Sequence, residues 1–414
     1  MALVLAACSS DDDSGSSTQS TTGAEETSAT EPPAATDTPA ETDAPAETDA
    51  PAETVAPASG EPIKIMTIVR TESAGQSNTQ AAADAVSAAA AALNERGGVM
   101  GRPIEVIVCD DGSDPNGAAD CARQASEQGA VAVVGGASAN PDSINPVLEE
   151  QGMANIGSFA AGVTDFLGVN SFPIGGSPAW IAGCAKMLAA GGAKKISVVY
   201  FDLPAGAFAT TFAEQALVGT EAVVEGTVPV PLEAVDYNPL VSSAADNADA
   251  ILLVLQPEMA ARWLIAAGQQ GVTLPQCAPG LSDDVIGTIG DAAEGVQVAS
   301  YLRPVADGGP GIEQFVSEVG DELAPNFYAL GSWLAVQLFA GAVEAAQPSE
   351  ITATTVLAAM RAADGIDLLD LAPPYSTQTP GNAPLTSLYN GTYWPAVVKD
   401  GVIVSIDGKP AAGI

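Results

Sequence analysis

The chain has no histidine. Ser-His-Asp and Cys-His catalysis are therefore excluded, as are metal sites built on imidazole. A Ser-Lys pair is the remaining route to a serine nucleophile, but Lys186, Lys194, Lys195 and Lys399 show no such spacing to a serine. The residues left for chemistry are hydroxyls, carboxylates and backbone N–H groups in loops, which suit reversible binding of a small solute. Ser138 follows the run VAVVGG and Ala137, and the next helix is expected to begin near Pro141. Its hydroxyl and nearby N–H groups can hold a carboxylate at a helix N-terminus; the other reading is that Ser138 or Asn140 caps that helix. Ser158 and Ala160 hold the matching place after the next strand. Asp110, Asp111, Asp114 and Asp120 surround Gly112 and offer oxygen ligands of the kind Ca²⁺ takes. The EF-hand spacing and its closing glutamate are missing, so a capped, solvated loop is expected there and no metal or cofactor.

These residues need a frame that brings loops together. The stretch from Ala92 to Gly136, ALNERGGVMGRPIEVIVCDDGSDPNGAADCARQASEQGAVAVVGG, reads as helix end, turn, strand, acidic loop, helix and strand. An Ala-rich helix over Thr79 to Arg96 stops at Gly97-Gly98. Ile104 to Val108 is a β-branched strand, and Ser113 or Asp114 caps a helix with Pro115 at its first position. Two strands joined through a helix imply a right-handed crossover and a parallel sheet. The same alternation continues, with strands expected at 63–69, 130–134, 154–156, 195–201, 222–228 and 250–255. Helices are expected at 180–191, 208–217 and 258–271. Gly295 to Tyr301 crosses back, helices at 311–323 and 326–346 follow, and strands near 393–398 and 402–406 close the chain. In open parallel sheets ligands sit beyond the carboxyl ends of the strands. The loops to consider are then Arg70 to Asn78, which includes Ser73, Ala137 to Asn140, and Ser158 to Ala161 in one half. In the other half they are Asp202 to Gly206, Gln256-Pro257, and Ser282 to Asp284.

The N-x-x-G-G-x-x-G-R-P-I run from Asn94, with D-D-x-x-D-P downstream, resembles the Leu/Ile/Val-binding family of type I periplasmic binding proteins. The resemblance covers nearly everything from Glu61 to about Ile406. It implies an α/β fold of two doubly wound parallel-sheet lobes joined by a multi-crossing hinge, with solute held in the cleft between them. It further implies that the loop of Ser158 and Ala160 shares the α-carboxylate and α-ammonium of an amino acid, and that Asp283 meets the ammonium. The alternative for Asp283 is a solvated N-cap for a helix at 284–289. Two positions depart from the family pattern. Its Tyr-Gly after the strand at 195–201 is Ala205-Gly206 here, in the loop that opens with Asp202, and Gln256 occupies a place that is often aromatic. A wider pocket, or one for an amide or another small acid, is therefore as compatible as leucine, isoleucine or valine. Phe159 or Trp180 can supply a ring, although large aromatics of this kind usually serve the core.

Leu5-Ala6-Ala7-Cys8 has the form of a lipobox, where a lipoprotein is cut and its cysteine acylated. Only Met1 to Ala7 precede Cys8, without Lys or Arg, so a complete signal is expected to begin upstream. From Ser9 to Gly60 the chain is mainly Ser, Thr, Ala, Pro, Asp and Glu, and PAETDA at Pro39 and Pro45 recurs as PAETVA at Pro51. Such a segment has too little apolar area to fold and suits a tether; as a coil it spans about 40 Å root-mean-square. No later segment has about 18 uninterrupted apolar residues, so no spanning helix is expected. Twelve of the 51 acidic residues lie in the tether, which leaves the body 39 against 13 basic residues, a net of −26. A body so acidic repels nucleic acid and anionic lipid.

Besides Cys8 there are four cysteines, an even number that favours disulfides outside the cytosol. They allow three pairings. Cys109 ends a strand and Cys121 lies one loop and two helical turns later, so their pairing would clip the acidic loop. Cys184 and Cys277 then remain, either paired or as two buried thiols. The expected organisation is a signal over 1–8, a tether over 9–60, one lobe from 61–177 plus 302–372, and a second from 178–301 plus 373–414. The expected role is a lipid-anchored, extracytoplasmic solute-binding protein that serves the permease subunits of an ABC importer and catalyses nothing. A ligand sensor of the same fold is the alternative, and neighbouring permease or kinase genes distinguish the two.

Overall fold

The computed structural model describes residues 57–71, 79–160 and 162–414, and for Pro204 and Ala205 the backbone alone. Cys8, the tether up to residue 56, Ser73 and Ala161 lie outside the described residues. The first sheet contains β1 (Ile63–Val69), β2 (Ile104–Asp110), β3 (Ala132–Ala137), β4 (Ala154–Ile156) and β5 (Ser171–Phe172), in the order β2-β1-β3-β4-β5. Every pairing in it is parallel. The central strand β1, IKIMTIV, is buried at six of its seven positions, as a strand covered on both faces must be. The crossovers are α1 (Gln80–Glu95), α2 (Pro115–Glu127), α3 (Pro141–Glu150) and the single short turn of α4 (Val163–Leu167). Asp114, rather than Ser113, caps α2 by accepting the Asn116 N–H, and Pro115 opens the helix.

The chain then passes to a second sheet through residues 173–176. This half runs through α5 (Ser177–Ala190), β6 (Lys195–Phe201), α6 (Pro204–Leu217), β7 (Val223–Val230), α7 (Asn238–Ala245) and β8 (Ala250–Val254). It continues with α8 (Pro257–Gln269), β9 (Gln276–Cys277), α9 (Asp283–Ile289) and β10 (Gln297–Ser300). At Leu302 the chain re-enters the core of the first half. There it forms α10 (Pro310–Val319), α11 (Ala329–Ala346) and α12 (Ala353–Arg361). It returns once more as β11 (Thr392–Lys399), β12 (Val402–Ser405) and β13 (Ala411–Ala412). The second sheet is ordered β12-β11-β10-β9-β8-β6-β7, with β13 on β11. From β7 to β10 it is parallel and repeats the winding of the first sheet. Its far edge is antiparallel, because β11 and β12 arrive as a hairpin at the end of the chain. Two doubly wound α/β halves are thus joined by several crossings.

The last crossing falls later than residue 373. Tyr375 is buried in the core of the first half, the Ser387 N–H donates to the Phe166 carbonyl (2.9 Å), and Tyr389 stacks on Phe172 at 6.1 Å. We place the crossing between Asn390 and Thr392. Residues 373–390 lack the periodicity of any element, so only these contacts reveal which half they belong to.

Each sheet is covered on both faces. In the first half α1, α11 and α12 build one core and α2 and α3 the other. In the second, α5 and α6 lie on one face, and α7, α8 and α9 on the other. By length and composition α11 is apolar enough to cross a membrane, yet 13 of its 18 residues are buried against the protein, and it is a core helix. Both disulfides staple a helix to a strand: Cys109 of β2 to Cys121 of α2, and Cys184 of α5 to Cys277 of β9, with Cα separations of 5.8 and 5.5 Å.

Candidate functional site

In both sheets the winding reverses between the central strands, at β1/β3 and at β6/β8, and crevices open at the carboxyl ends there. At the first of these, Thr79 ties the exits together. Its hydroxyl donates to the Ala137 carbonyl (2.8 Å) and accepts from the Arg70 N–H (2.9 Å). The Arg70 side chain is buried, with 4% exposure; its Nη2 donates to the Tyr328 hydroxyl (3.4 Å), and its guanidinium carbon lies 5.9 Å from the Tyr328 ring centre. A buried cation next to a ring face combines a hydrogen bond with cation–π attraction.

The adjoining cavity is lined by Gly157 to Ala160, Ile174 to Gly176, Trp180, Tyr301, Tyr328, Gly331 and Ser332. Its wall draws on the loop after β4, the first crossing, the start of α5, the second crossing and the start of α11. Four rings dominate it, and the ring of Phe327 packs against them. Phe159 makes edge contacts with Trp180 (5.7 Å), Tyr301 (6.5 Å), Phe327 (5.4 Å) and Tyr328 (5.4 Å). Trp180 also stacks on Phe327 at 6.0 Å. These rings leave a void of about 10 Å³, room for one water at most. The rings thus fill most of the space between them. Tyr301 is partly buried in the wall, and desolvation, reinforced by Tyr328, raises its pKa far above the ordinary phenol value. A Cβ on Gly331 would overlap the Tyr301 hydroxyl, so glycine at that point of α11 makes the slot for the tyrosine.

The sequence-derived candidates divide into three groups. Ser158 and Ala160 line the cavity. The Ser158 hydroxyl is within hydrogen-bonding distance of the Gly135 carbonyl (2.7 Å) and Asn155 Oδ1 (2.5 Å). Ala137 and Ser138 lie behind the wall. Ala137 is fully buried, and the Ser138 hydroxyl donates to Asp111 and accepts the Asn140 N–H (3.0 Å), so it fastens the turn into α3. Asp202, Gln256 and Asp283 do not line the cavity. Asp202 is exposed, Gln256 occupies the N-cap position of α8, and the backbone at Ala205 belongs to α6. Asp283 turns toward β12, where it accepts the Ile403 N–H (2.8 Å). Burial raises its pKa, the Ile403 hydrogen bond opposes the rise, and the neighbouring Asp284 charge adds to it.

It is Asp284 that reaches the other half, accepting from Asn326 Nδ2 (3.1 Å); Asn326 Oδ1 in turn accepts the Tyr328 N–H (3.0 Å). In the acidic loop after β2 the carboxylates have backbone partners. Asp110 accepts from Gly112 (2.9 Å) and Thr71, and Asp111 from Ser113 (2.8 Å) and Ser138. Burial opposes ionisation of Asp110, but the Thr71 and Gly112 hydrogen bonds outweigh it and hold the pKa below the usual carboxylate value. Sequence reasoning named Arg70 only as the start of a strand-exit loop and missed Tyr301, Phe327 and Tyr328. The one available signal was Phe327-Tyr328 standing directly before an apolar helix.

A wall of four rings and two serines, with no carboxylate among the described lining residues, offers surfaces for a flat apolar body once the rings part. Comparison with known proteins agrees with a binding role. A family model described as periplasmic binding protein matches residues 62–392. No curated protein sequence matches the chain. Among solved structures, a branched-chain amino acid ABC transporter protein from Thermus thermophilus with bound valine aligns with a TM-score of 0.72 at 16% identity, over 85% of this chain and 96% of its own. A solute-binding protein of an ABC transporter from Rhodopseudomonas palustris BisB5, in complex with 3,4-dihydroxybenzoic acid, aligns at 0.71 and 20% identity over 85% and 98%. A substrate-binding periplasmic protein from Ralstonia solanacearum aligns at 0.71 and 18% identity over 83% and 99%.

Proposed function

Because the chain belongs to the periplasmic binding protein family, we propose that it is the solute-binding component of an ABC importer, held outside the cytoplasm by acylation of Cys8, and that its solute is a small carboxylic acid built on a flat ring. The observation that carries this reading is the cavity wall. Phe159, Trp180, Tyr301 and Tyr328 offer edges and faces for a ring, and no carboxylate lies among the described lining residues to meet an α-ammonium. Asp202 and Asp283, the acids nearest in sequence to that role, are engaged elsewhere or exposed. The buried Arg70 behind Tyr328 adds the positive potential that an acid requires in a body of net charge −26. The Rhodopseudomonas relative binds 3,4-dihydroxybenzoic acid, which fits the same chemistry. A zwitterionic amino acid is the second reading; it is favoured by Ser158 and the backbone at Ala160 in one wall, and by the valine held in the Thermus relative. Delivery to a membrane permease follows from capture by closure of two halves, since the closed form is what a permease can recognise as loaded.

Thermal denaturation tests the solute class. A ligand of the native state raises the melting temperature, so benzoate and 4-hydroxybenzoate should raise it and valine should not. A rise with valine alone overturns the ring-acid reading in favour of an amino acid. For the anchor, the protein carrying a complete signal should incorporate a palmitate analogue and its Cys8→Ser variant should not; equal incorporation rejects acylation at Cys8.

A further inference from the structure

We infer that the indole N–H of Trp180, together with the N-terminus of α5, is the second half's recognition element for a carboxylate oxygen of the solute; this rests on the reading of the ring-lined cavity as the solute site. The first observation is an unpaired donor. Trp180 lines the cavity with 6% exposure, and its Nε1 has no acceptor among the described residues. Buried tryptophans ordinarily satisfy this group. Two others in the chain do so: Trp263 donates to Gln276 Oε1 (3.0 Å) and Trp333 to Glu318 Oε2 (2.7 Å). Trp394 Nε1 is also unpaired, but that residue lies under the Arg303 guanidinium, away from the cavity lining.

The second observation is where the indole stands. Trp180 is the fourth residue of α5, a 14-residue helix whose entry, Gly175 and Gly176, lines the same cavity. Pro178 has no N–H and the Ala179 N–H donates to the Gly176 carbonyl (3.1 Å), so the Ser177 N–H is what the first turn offers, and no acidic residue occupies that turn. The positive end of the helix dipole beside the cavity adds a modest preference for an anion. The indole itself is fixed by Phe327 on its face, at 6.0 Å and 22°, and by the edge contact of Phe159 at 90°. Of the two serines of the wall, Ser158 is engaged with Gly135 and Asn155, and Ser332 accepts the Gly136 N–H (3.3 Å). Among the described lining residues Trp180 is the one whose buried polar atom has no partner.

The full chain, titrated with benzoate, tests this. Trp180→Phe keeps a ring and removes the N–H. Calorimetry should show benzoate affinity lowered ten- to a hundredfold, the cost of a lost hydrogen bond to a charged group. Indole ¹⁵N–¹H spectra give a readout that does not depend on the variant's fold. One of the four tryptophan signals should move downfield on adding benzoate, and it should be the signal missing from Trp180→Phe. If benzoate binds but Trp180→Phe binds it equally and no indole signal moves, the donor assignment is overturned while the cavity reading stands. If Phe159→Ala also leaves benzoate binding unchanged, or if neither benzoate nor 4-hydroxybenzoate binds the wild type, the cavity reading fails and the inference falls with it.

Discussion

Gly331 shows how a single position without a side chain can organise a site. It lies on a core helix, where alanine would ordinarily be the better helix former. Here a Cβ would overlap the hydroxyl of Tyr301, whose ring is locked between Phe159, Trp180 and Gly175. Gly331→Ala should therefore destabilise the protein by about 1–3 kcal/mol, the usual cost of overfilling a packed core. Adding Tyr301→Phe removes the clashing oxygen and should recover part of the loss. Chemical denaturation of the two single variants and the double variant would reveal this as a coupling energy; strict additivity would mean that the tyrosine is not where the cost arises. None of this was legible in the sequence. Tyr301 and Gly331 are 30 positions apart, on a crossing and a helix, and only the three-dimensional path of the chain makes them neighbours. That Ser158 and Ala160 stand at a strand exit could be read from the sequence, because a loop after a strand is a local feature; the structure places both in the cavity wall.

At the level of elements, local chemistry carried most of the reading. β-branched runs gave the strands, and Asp114-Pro115 gave the start of α2. The first disulfide follows the same logic, since Cys109 and Cys121 flank one strand-to-helix turn; the chain-entropy estimate for so short a loop is about 3 kcal/mol. What failed was register at α9. One residue decides whether a carboxylate faces the other half or its own sheet, and the structure turns Asp283 to β12 and Asp284 to Asn326. A pH dependence follows from this placement. Burial raises the folded pKa of Asp283 above its ordinary 3.8, so the native state holds that proton more tightly than the unfolded chain does. The resulting stabilisation is complete below pH 3.8 and is lost as the pH rises through the raised value. Asp283→Asn keeps an oxygen for the Ile403 N–H and carries no charge. It should be more stable than the wild type at pH 7, and the advantage should vanish below about pH 3.8. Melting curves across that range would settle the matter; an advantage that stays constant with pH would show that ionisation of Asp283 is not its source.

Across the whole molecule, how far the halves stand apart is a balance between contacts and repulsion. The rings leave space for about one water, so a solute enters only if the halves part or the rings move. Closure is favoured by the ring contacts and by the Asp284–Asn326 hydrogen bond, which joins α9 to the segment that positions Tyr328. It is opposed by the mutual repulsion of two acidic halves, which salt screens. Asn326→Asp changes one term of this balance without touching the cavity. The new side chain retains an oxygen for the Tyr328 N–H but sets a second carboxylate against Asp284, and two carboxylates sharing a site resist joint ionisation. At neutral pH the attraction becomes repulsion, and the open population should rise. Solution scattering should then give a larger radius of gyration for Asn326→Asp than for wild type at pH 7 and low salt. The difference should shrink in high salt, and again as the pH falls far enough for the pair to share a proton. Benzoate affinity should weaken in parallel, because binding must then supply the free energy of closure. An unchanged radius together with unchanged affinity would mean that the contact between Asp284 and Asn326 has no part in setting how far the halves stand apart.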